Sequence, residues 1–239
     1  MSAQHDTSAE TFTFTLDGAT VTAKPGQTIL EAAQDAGIYI PKLCQKDGLS
    51  PGGHCRICTV MVNGRPASAC TLPATPDVVV ENNTDDLNTM RRHVVEMLFV
   101  EGNHVCPSCE ASGNCELQAL GYRLGMTAPQ YPYLSPVREL DATHDDILID
   151  RNRCVLCGRC ARASRELDGK SVFGFEGRGI NKRIAVNASN GLAGTDIELT
   201  DEAVAACPVG CILVKGRSHV VPIGQRMYDH TPIGADVES

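Results

Sequence analysis

Residues 154–160 read CVLCGRC, and residues 207–208 read Cys-Pro. A Cys-x2-Cys-x2-Cys loop can bind three corners of an iron-sulfur cubane, and a remote Cys-Pro can supply the fourth ligand. The pattern therefore predicts one [4Fe-4S] cluster, with the ligands Cys154, Cys157, Cys160 and Cys207. No Cys-Pro follows directly after the loop, so a second cubane is not expected in this segment. Cys211 is left over, and we expect a packed thiol, with an exchange of roles with Cys207 as the alternative.

A second group of four cysteines precedes this motif, with the spacing Cys-x10-Cys-x2-Cys-x11-Cys. Its members are Cys44, Cys55, Cys58 and Cys70. Four thiolates on one loop and a distal strand end suit two irons, as in plant-type ferredoxins, although the first gap is longer here. Gly52 and Gly53 let backbone N–H groups approach the sulfurs. The group predicts a [2Fe-2S] cluster, and a zinc site is the alternative.

The middle of the chain has only three cysteines, in the arrangement His104-x-Cys106-x2-Cys109-x5-Cys115. A [4Fe-4S] cluster needs a fourth donor, and His104 is the nearest candidate. A neutral imidazole in place of a thiolate removes negative charge from the site, which raises the reduction potential. His93 is the competing candidate, but we expect it to lie within the preceding helix and to face solvent or pack.

The pattern of residues 1–82 predicts a β-grasp domain built from two hairpins, one helix and a closing strand. The hairpins cover residues 12–24, with a turn at Asp17-Gly18, and residues 58–69, with a turn at Asn63-Gly64; the strand covers residues 78–80. Thr28 is predicted to cap a helix over residues 29–36 that ends at Gly37.

The remaining sequence predicts two further domains, which makes the fold class α+β. Residues 83–128 form a small helical domain, and residues 129–239 form a ferredoxin-like domain with a C-terminal tail. The first helix, from Thr84 to near Gly102, has the apolar stripe Leu87, Met90, Val94, Met97 and Leu98; a second begins at Cys115. The last domain is expected to contain strands at 147–149, 172–175, 183–186 and 212–214, and helices at 162–167 and from a Thr200 cap through 206.

Composition limits both the core and the partners. The chain has 239 residues, no Trp and 4% aromatic residues, which predicts a thin core in each of three small domains. A net charge of −8 argues against a nucleic-acid partner. The N-terminal residues lack the basic and apolar regions of a secretory signal, and the longest apolar stretches are too short for a membrane span. We therefore expect a cytoplasmic protein, in which cysteines are metal ligands rather than disulfides.

Positive charge is concentrated around the third cysteine group. The cluster contains Arg151, Arg153, Arg159, Arg162, Arg165, Arg178, Lys182 and Arg183. Two interpretations are open: a solvated face, or a surface for a partner that also offsets an anionic cluster. The last twenty or so residues hold Pro and Gly at intervals, and we expect a tail that needs a partner to become ordered.

Three stretches carry a family resemblance. GNHVCPSCEASGNCELQALGY (102–122), CVLCGRC with CPVG, and PIGQRMY (222–228) resemble the small diaphorase (gamma) subunit of the soluble NAD-reducing nickel-iron hydrogenase, over nearly the whole chain. The order of the three groups also resembles the N-terminal part of the complex I large iron-sulfur subunit and the front of iron-only hydrogenases. Those families place the histidine four residues before the first cysteine, whereas His104 lies two before Cys106, so its ligand role is the least secure.

The resemblance implies a relay of electrons between a flavin- and NAD-binding diaphorase subunit and a hydrogenase small subunit. Its cofactors would be one [2Fe-2S] and two [4Fe-4S] clusters. The sequence has no dinucleotide-binding GxGxxG turn, no P-loop and no paired CxxC motifs for a nickel-iron centre, so we expect no substrate active site on this chain alone. The alternatives are the same relay in an NAD-linked formate dehydrogenase or complex I-like enzyme, and a zinc-binding scaffold.

Overall fold

The N-terminal part of the computed structural model, which describes residues 11–217 and 219–238, is a five-stranded sheet packed on one helix. The elements are β1 (Phe12–Leu16), β2 (Ala19–Ala23), α1 (Ile29–Asp35), β3 (Thr59–Val62), β4 (Arg65–Ser68) and β5 (Val79–Glu81). The strand order is β2-β1-β5-β3-β4, and only the β1–β5 pair is parallel. This is the predicted β-grasp arrangement.

Local sequence signals explain these elements. Asp17 and Asn63 have positive φ angles of 49° and 48°, and each is followed by a glycine, as a tight hairpin turn requires. Thr28 caps α1 as predicted: its hydroxyl accepts from the Glu31 N–H, and the Glu31 carboxylate accepts from the Thr28 N–H at 2.8 Å. Gly37, with a φ of 72°, follows the end of the helix.

The second helix, α2 (Asp85–Val100), begins at the predicted Thr84 cap, but its buried face is rotated from the predicted stripe and shares only Leu87 with it. Leu87, Arg91, Val95 and Phe99 are buried, whereas Met97 is 43% exposed. The prediction missed this face because it contains an arginine. The Arg91 guanidinium is fully hydrogen-bonded, among others to the carbonyl oxygens of Ile57, Thr59 and Asn82, so burying the charge on this face is tolerated.

The remaining elements surround the second and third cysteine groups. They are α3 (Glu116–Arg123), β6 (Leu140–Asp141), β7 (Ile147–Asp150), α4 (Arg159–Glu166), β8 (Phe173–Glu176), β9 (Arg183–Val186), α5 (Glu202–Ala205) and β10 (Ile212–Val214). One sheet has the order β10-β7-β6, and β8 pairs with β9.

Two predicted helix starts are wrong. Helix α4 begins at Arg159, directly after Gly158 in the left-handed region, and α5 follows Asp201 rather than Thr200. The first N–H groups of α5 donate to Asp168 from another loop, which no local signal indicates.

The described residues form two hydrophobic cores, not one in each predicted domain. The β-grasp core contains Phe14, Leu16, Val21, Ile29, Leu30, Val60 and Val80 among others, all from the first 82 residues. The shared core takes side chains from all three predicted segments, including Leu43, Val95, Leu120, Ile149 and Leu192. The expectation of three thin, separate cores is therefore wrong, because the second and third cysteine groups lie on one larger core. The predicted boundaries at 82 and 128 stay a prediction.

The central members of the arginine cluster are buried, contrary to the expectation of a solvated face or a partner surface. Arg151, Arg159 and Arg162 are 9%, 2% and 7% exposed. They are neither a solvated face nor available to a partner, because their guanidinium groups bind other parts of the same chain. Arg159 donates to both oxygens of Glu116, at 2.6 and 2.7 Å, and to the carbonyl of Gln45.

The C-terminal segment is also packed on the chain without a partner, contrary to expectation. The Tyr228 N–H donates to the Gly113 carbonyl, and Arg226 donates to the Ser112 carbonyl beside the second cysteine group. Further on, the Arg123 guanidinium donates to the carbonyl of the buried Ile233. The segment thus covers the second group and then packs against α3. Near its end, the Val237 carbonyl lies 3.4 Å from where a Cβ of Gly37, just after α1, would be. No helix of residues 11–217 and 219–238 has the length and apolarity needed to cross a bilayer.

Candidate iron-sulfur sites

The first cysteine group converges at the edge of the β-grasp. Cys58 directly precedes β3 and Cys70 follows β4, so the sheet fixes two thiols, and the loop before β3 brings the other two. The Cys44 N–H donates to the Cys55 sulfur at 3.4 Å, and the Cys55 N–H donates to the Cys44 sulfur at 3.5 Å. All four are free thiols, and three of them are buried.

Hydrogen bonds among these thiols set which of them ionise first. Bonds from Cys55 and Cys70 hold the pKa of Cys44 far below its usual range, and the bond from Cys70 lowers the pKa of Cys58 to about 7. The same contacts and burial raise the pKa values of Cys55 and Cys70. A mutually bonded set of buried sulfurs is a good fit to a cationic iron centre, which binds thiolates and displaces their protons.

The second group lies on the turn between α2 and α3. Cys106 and Cys109 bracket a short 3-10 turn, and Cys115 is the residue just before α3. Burial raises the pKa of Cys115 to about 12, so a proton there is held until a metal displaces it. The charge of Cys109 helps to raise the pKa of Cys106, and the charges of Cys109 and Cys106 help to raise that of Cys115, so the three thiols lie near one another.

His104 has the properties of a metal ligand. Its Nε2 atom is buried and has no hydrogen-bond partner. Burial first, and then the nearby Arg153 charge, lower its pKa to about 4, so the imidazole is neutral and keeps a lone pair. Its ring is held edge-on to Phe99, with centroids 5.4 Å apart. By contrast, the Nδ1 of His93 is hydrogen-bonded to the Tyr131 hydroxyl at 2.7 Å. The donor set of the second group therefore fits His104 better than its competitor.

The third group lines one apolar cavity in the shared core. The thiols facing it are Cys154, Cys157, Cys160, Cys207 and Cys211. Burial raises the pKa of Cys157 to about 12, and a hydrogen bond from Cys211 lowers that of Cys207 to about 6. All four predicted ligands are thus brought together, and Cys211 lies beside them. Within residues 11–217 and 219–238, no three His, Cys, Asp or Glu side chains are arranged to hold one metal ion.

The second and third sites touch through the segment that follows Cys207. A Cβ built on Gly210 would lie 2.8 Å from the Cys109 sulfur, so only glycine allows this approach. Arg153 lies at the same place. Its guanidinium donates to the Cys109 sulfur at 3.7 Å and to the Gly210 carbonyl at 3.4 Å. In the sequence, the position of Arg153 directly before Cys154 indicates a role at the site, whereas no local pattern indicates the role of Gly210.

The first and third sites touch as well. The Arg162 guanidinium donates to the carbonyls of Cys44 and Ser50. The His54 ring, next to Cys55, lies 3.6 Å from where a Cβ of Gly158 would be. These contacts join segments more than a hundred residues apart, so the sequence alone could not show them.

Known proteins match this arrangement along most of the chain. Sequence models match at residues 9–85 (2Fe-2S iron-sulfur cluster binding domain), 91–130 (NADH-ubiquinone oxidoreductase-G iron-sulfur binding region) and 147–214 (4Fe-4S single cluster domain). The NAD-reducing hydrogenase HoxS subunit gamma of Cupriavidus necator is 43% identical over 90% of this chain and 92% of its own length. The chain belongs to this gamma-subunit family. It superposes on a chain in the crystal structure of NAD+-reducing [NiFe]-hydrogenase in the H2-reduced state with a TM-score of 0.91 and 46% identity, covering 94% and 96% of the two chains.

Larger relatives contain the same unit as one part of a longer chain. The NADPH-Fe(3+) oxidoreductase subunit alpha of Geobacter sulfurreducens is 34% identical over 84% of this chain and 24% of its own length. The mitochondrial NADH-ubiquinone oxidoreductase 78 kDa subunit of Neurospora crassa is 31% identical over 84% of this chain and 27% of its own length. The gamma-subunit assignment confirms the predicted fold class, the one [2Fe-2S] and two [4Fe-4S] domains, and iron-sulfur electron transfer as the function of an oxidoreductase subunit.

Proposed function

We propose that this gamma-type subunit relays electrons between a flavin- and NAD-binding diaphorase subunit and a hydrogenase small subunit in the cytoplasm. The observation that carries the proposal is the continuity of the three sites. Arg162 and His54 join the first site to the third, and Arg153 and Gly210 join the third to the second. A relay needs its carriers close together, and these contacts join neighbouring sites directly.

The proposed ligands are the donors of the three groups predicted from the sequence. They are Cys44, Cys55, Cys58 and Cys70 for the [2Fe-2S] cluster; His104, Cys106, Cys109 and Cys115 for one [4Fe-4S] cluster; and Cys154, Cys157, Cys160 and Cys207 for the other. When bound, each cluster would supply a one-electron redox centre. The orphaned Nε2 of His104 and the apolar five-thiol cavity support this assignment.

Residues around the sites would tune and hold them. Arg153 donates to the Cys109 sulfur, and a hydrogen bond to a ligand sulfur stabilises its negative charge. Arg162 fixes the carbonyl of Cys44, which holds the loop of the first site against α4. Both cations face sulfur-rich sites that are anionic when loaded, so their charges favour the reduced state.

Exposed apolar side chains beside the second site support a partner there. Val105, Tyr122, Ile223 and Met227 are 56%, 67%, 84% and 65% exposed. Tyr122 and Ile223 line the same groove as Cys106. Apolar surface of this kind, next to a redox site, is typical of a protein–protein contact.

Anaerobic purification of the chain with its native partners tests the proposal. We expect about ten irons for each copy of the chain, with matching acid-labile sulfide, and EPR signals from one [2Fe-2S] and two [4Fe-4S] centres after reduction. Mass spectrometry of the co-purified proteins should identify a flavoprotein and a hydrogenase small subunit. Colourless, zinc-loaded protein would overturn the relay, and a formate dehydrogenase partner would overturn the choice of enzyme.

The same preparation tests His104. The variant His104→Cys should keep the second cluster but lower its reduction potential, because a thiolate adds negative charge. His93→Cys is the control, since His93 already bonds Tyr131, and it should leave that potential unchanged. An unchanged spectrum and potential in His104→Cys would remove His104 from the ligands.

A further inference from the structure

The cavity of the third site contains one thiol more than a [4Fe-4S] cluster needs. Five cysteines face it, while a cubane takes one thiolate on each of four irons. The remaining wall is mostly apolar, so the fifth thiol does not lie among polar groups that would give it another role. The question is what Cys211 does there.

Cys211 is fixed at the edge of the cavity by the backbone. It is 3% exposed and directly precedes β10. Its carbonyl accepts from the Asp150 N–H at 2.7 Å, which ties it to the end of β7. From this position its thiol is within hydrogen-bonding reach of Cys154 and Cys207, two of the four proposed ligands. A small rotation of the Cys211 side chain would therefore change its thiol from a neighbour of the cluster into a ligand.

Chemistry makes Cys211 equivalent to Cys207 as a donor. Cys211 is buried and Cys207 is partly buried, and both lie on the same short turn, with Gly210 between them against the second site. Burial alone would favour an inert thiol, but a thiolate bound to iron has its charge offset by the metal. Cys211 and Cys207 line the same cavity, so both lie beside the place that the cluster would occupy.

We propose that Cys211 is an alternate ligand of the third cluster, able to bind the iron that Cys207 binds. This rests on the proposed cluster assignment of the third site. In the exchange, the iron–sulfur bond to Cys207 breaks and one to Cys211 forms, and the proton released by the Cys211 thiol passes to the Cys207 sulfur. The charge and the electron count of the site do not change, so no oxidant or reductant is required.

Iron and sulfide content of full-length, anaerobically purified variants tests the exchange. Cys207→Ala should keep about four irons at the third site, with a shifted EPR spectrum, because Cys211 replaces the missing ligand. The double variant Cys207→Ala/Cys211→Ala should lose at least one of these irons. Cys211→Ala should retain them, since Cys207 is still present.

Cys160→Ala is the matched control, because the Cys211 thiol bonds Cys154 and Cys207 rather than Cys160. It should lose iron even though Cys211 is intact. The [4Fe-4S] signal of the second site, which lies on the same shared core, reports in every variant whether that core has folded. The inference is overturned if Cys207→Ala loses iron as Cys160→Ala does, or if the double variant keeps it. Wild-type protein without a third cluster would instead overturn the proposed function.

Discussion

The β-grasp and the shared core hold their cysteines in different ways. In the β-grasp, Cys58 and Cys70 lie beside strands whose own core is closed by residues from the first 82 positions. In the shared core, the cavity of the third site lies inside the packing, and its walls come from β7, β8, β9 and the cysteine loops. The first site therefore lies at the edge of a core that closes within the first 82 residues, whereas the cavity of the third site lies inside the shared core.

The boundary between the two regions passes through the first cysteine loop. Leu43, Leu49 and Ile57 from this loop belong to the shared core, although Cys58 and Cys70 belong to the β-grasp core. The first site therefore lies at the junction of both cores. This position explains why Arg159 and Arg162, on the helix after the third cysteine loop, reach across to Gln45 and Cys44.

The largest expected effect comes from the same substitution made in each core. Ile149 and Ile29 are both fully buried, Ile149 in the wall of the third-site cavity and Ile29 in the β-grasp. Each Ile→Ala change should cost about 2–5 kcal/mol. Ile149→Ala should release iron from the [4Fe-4S] sites and spare the [2Fe-2S] signal, and Ile29→Ala should do the reverse. Equal iron loss by EPR and iron assay in both variants would contradict the comparison.

Breaking the contact between the regions should have a smaller effect. Arg159→Met removes the hydrogen bond to the Gln45 carbonyl, which joins the two regions, and it also leaves the Glu116 carboxylate without its bidentate partner. The change should cost about 3 kcal/mol, because a partly buried charge loses its partner. Urea unfolding followed at two probes, the [2Fe-2S] circular dichroism and tyrosine fluorescence, should then show two separate transitions. Arg165→Met is the control, since its pair with Glu166 is exposed and is worth less than about 1 kcal/mol. A single transition in Arg159→Met would show that the regions are not joined by this contact.

Local patterns predicted most of the fold. The turns at Asp17 and Asn63, the Thr28 and Thr84 caps and the strands of the β-grasp each depend on a few neighbouring residues, and each is confirmed. Cysteines on one loop, such as Cys154, Cys157 and Cys160, also converge for local reasons, and their role as cluster ligands stays a prediction. These features could be read from the sequence because their partners are close in the chain.

The missed features all depend on partners distant in the chain. Arg91 replaces an apolar residue on the buried face of α2, because the carbonyls of Ile57 and Thr59 are there to accept its bonds. Arg159 and Arg162 were expected in solvent or on a partner, but they bind groups 43 to 118 residues away. An apolar stripe or a run of positive charge carries no information on such partners. Tertiary packing therefore determines whether these arginines are buried.

The smallest expected effect is a pH dependence of the same junction. The Glu166 carboxylate accepts from the Ser50 N–H at 2.8 Å and from its hydroxyl at 2.7 Å, and these bonds lower its pKa from 4.5 to about 2. Because the folded pKa lies below the unfolded value, the ionised carboxylate stabilises the fold above about pH 4.5, and this contribution is lost as the pH falls towards 2. The group is largely exposed, so the contribution should stay below about 1 kcal/mol.

The difference in unfolding free energy between the wild type and Glu166→Gln should shrink between pH 6 and pH 4, since only the wild type has this carboxylate to protonate. Acid effects on the clusters cancel in this difference because both proteins have the same ligands. Ser50→Ala removes the hydroxyl, one of the two donors. The difference in unfolding free energy between Ser50→Ala and Ser50→Ala/Glu166→Gln should therefore depend less on pH than the difference between the wild type and Glu166→Gln. If the difference in unfolding free energy between the wild type and Glu166→Gln is constant with pH, the bond between Ser50 and Glu166 does not connect α4 to the loop of the first site in solution.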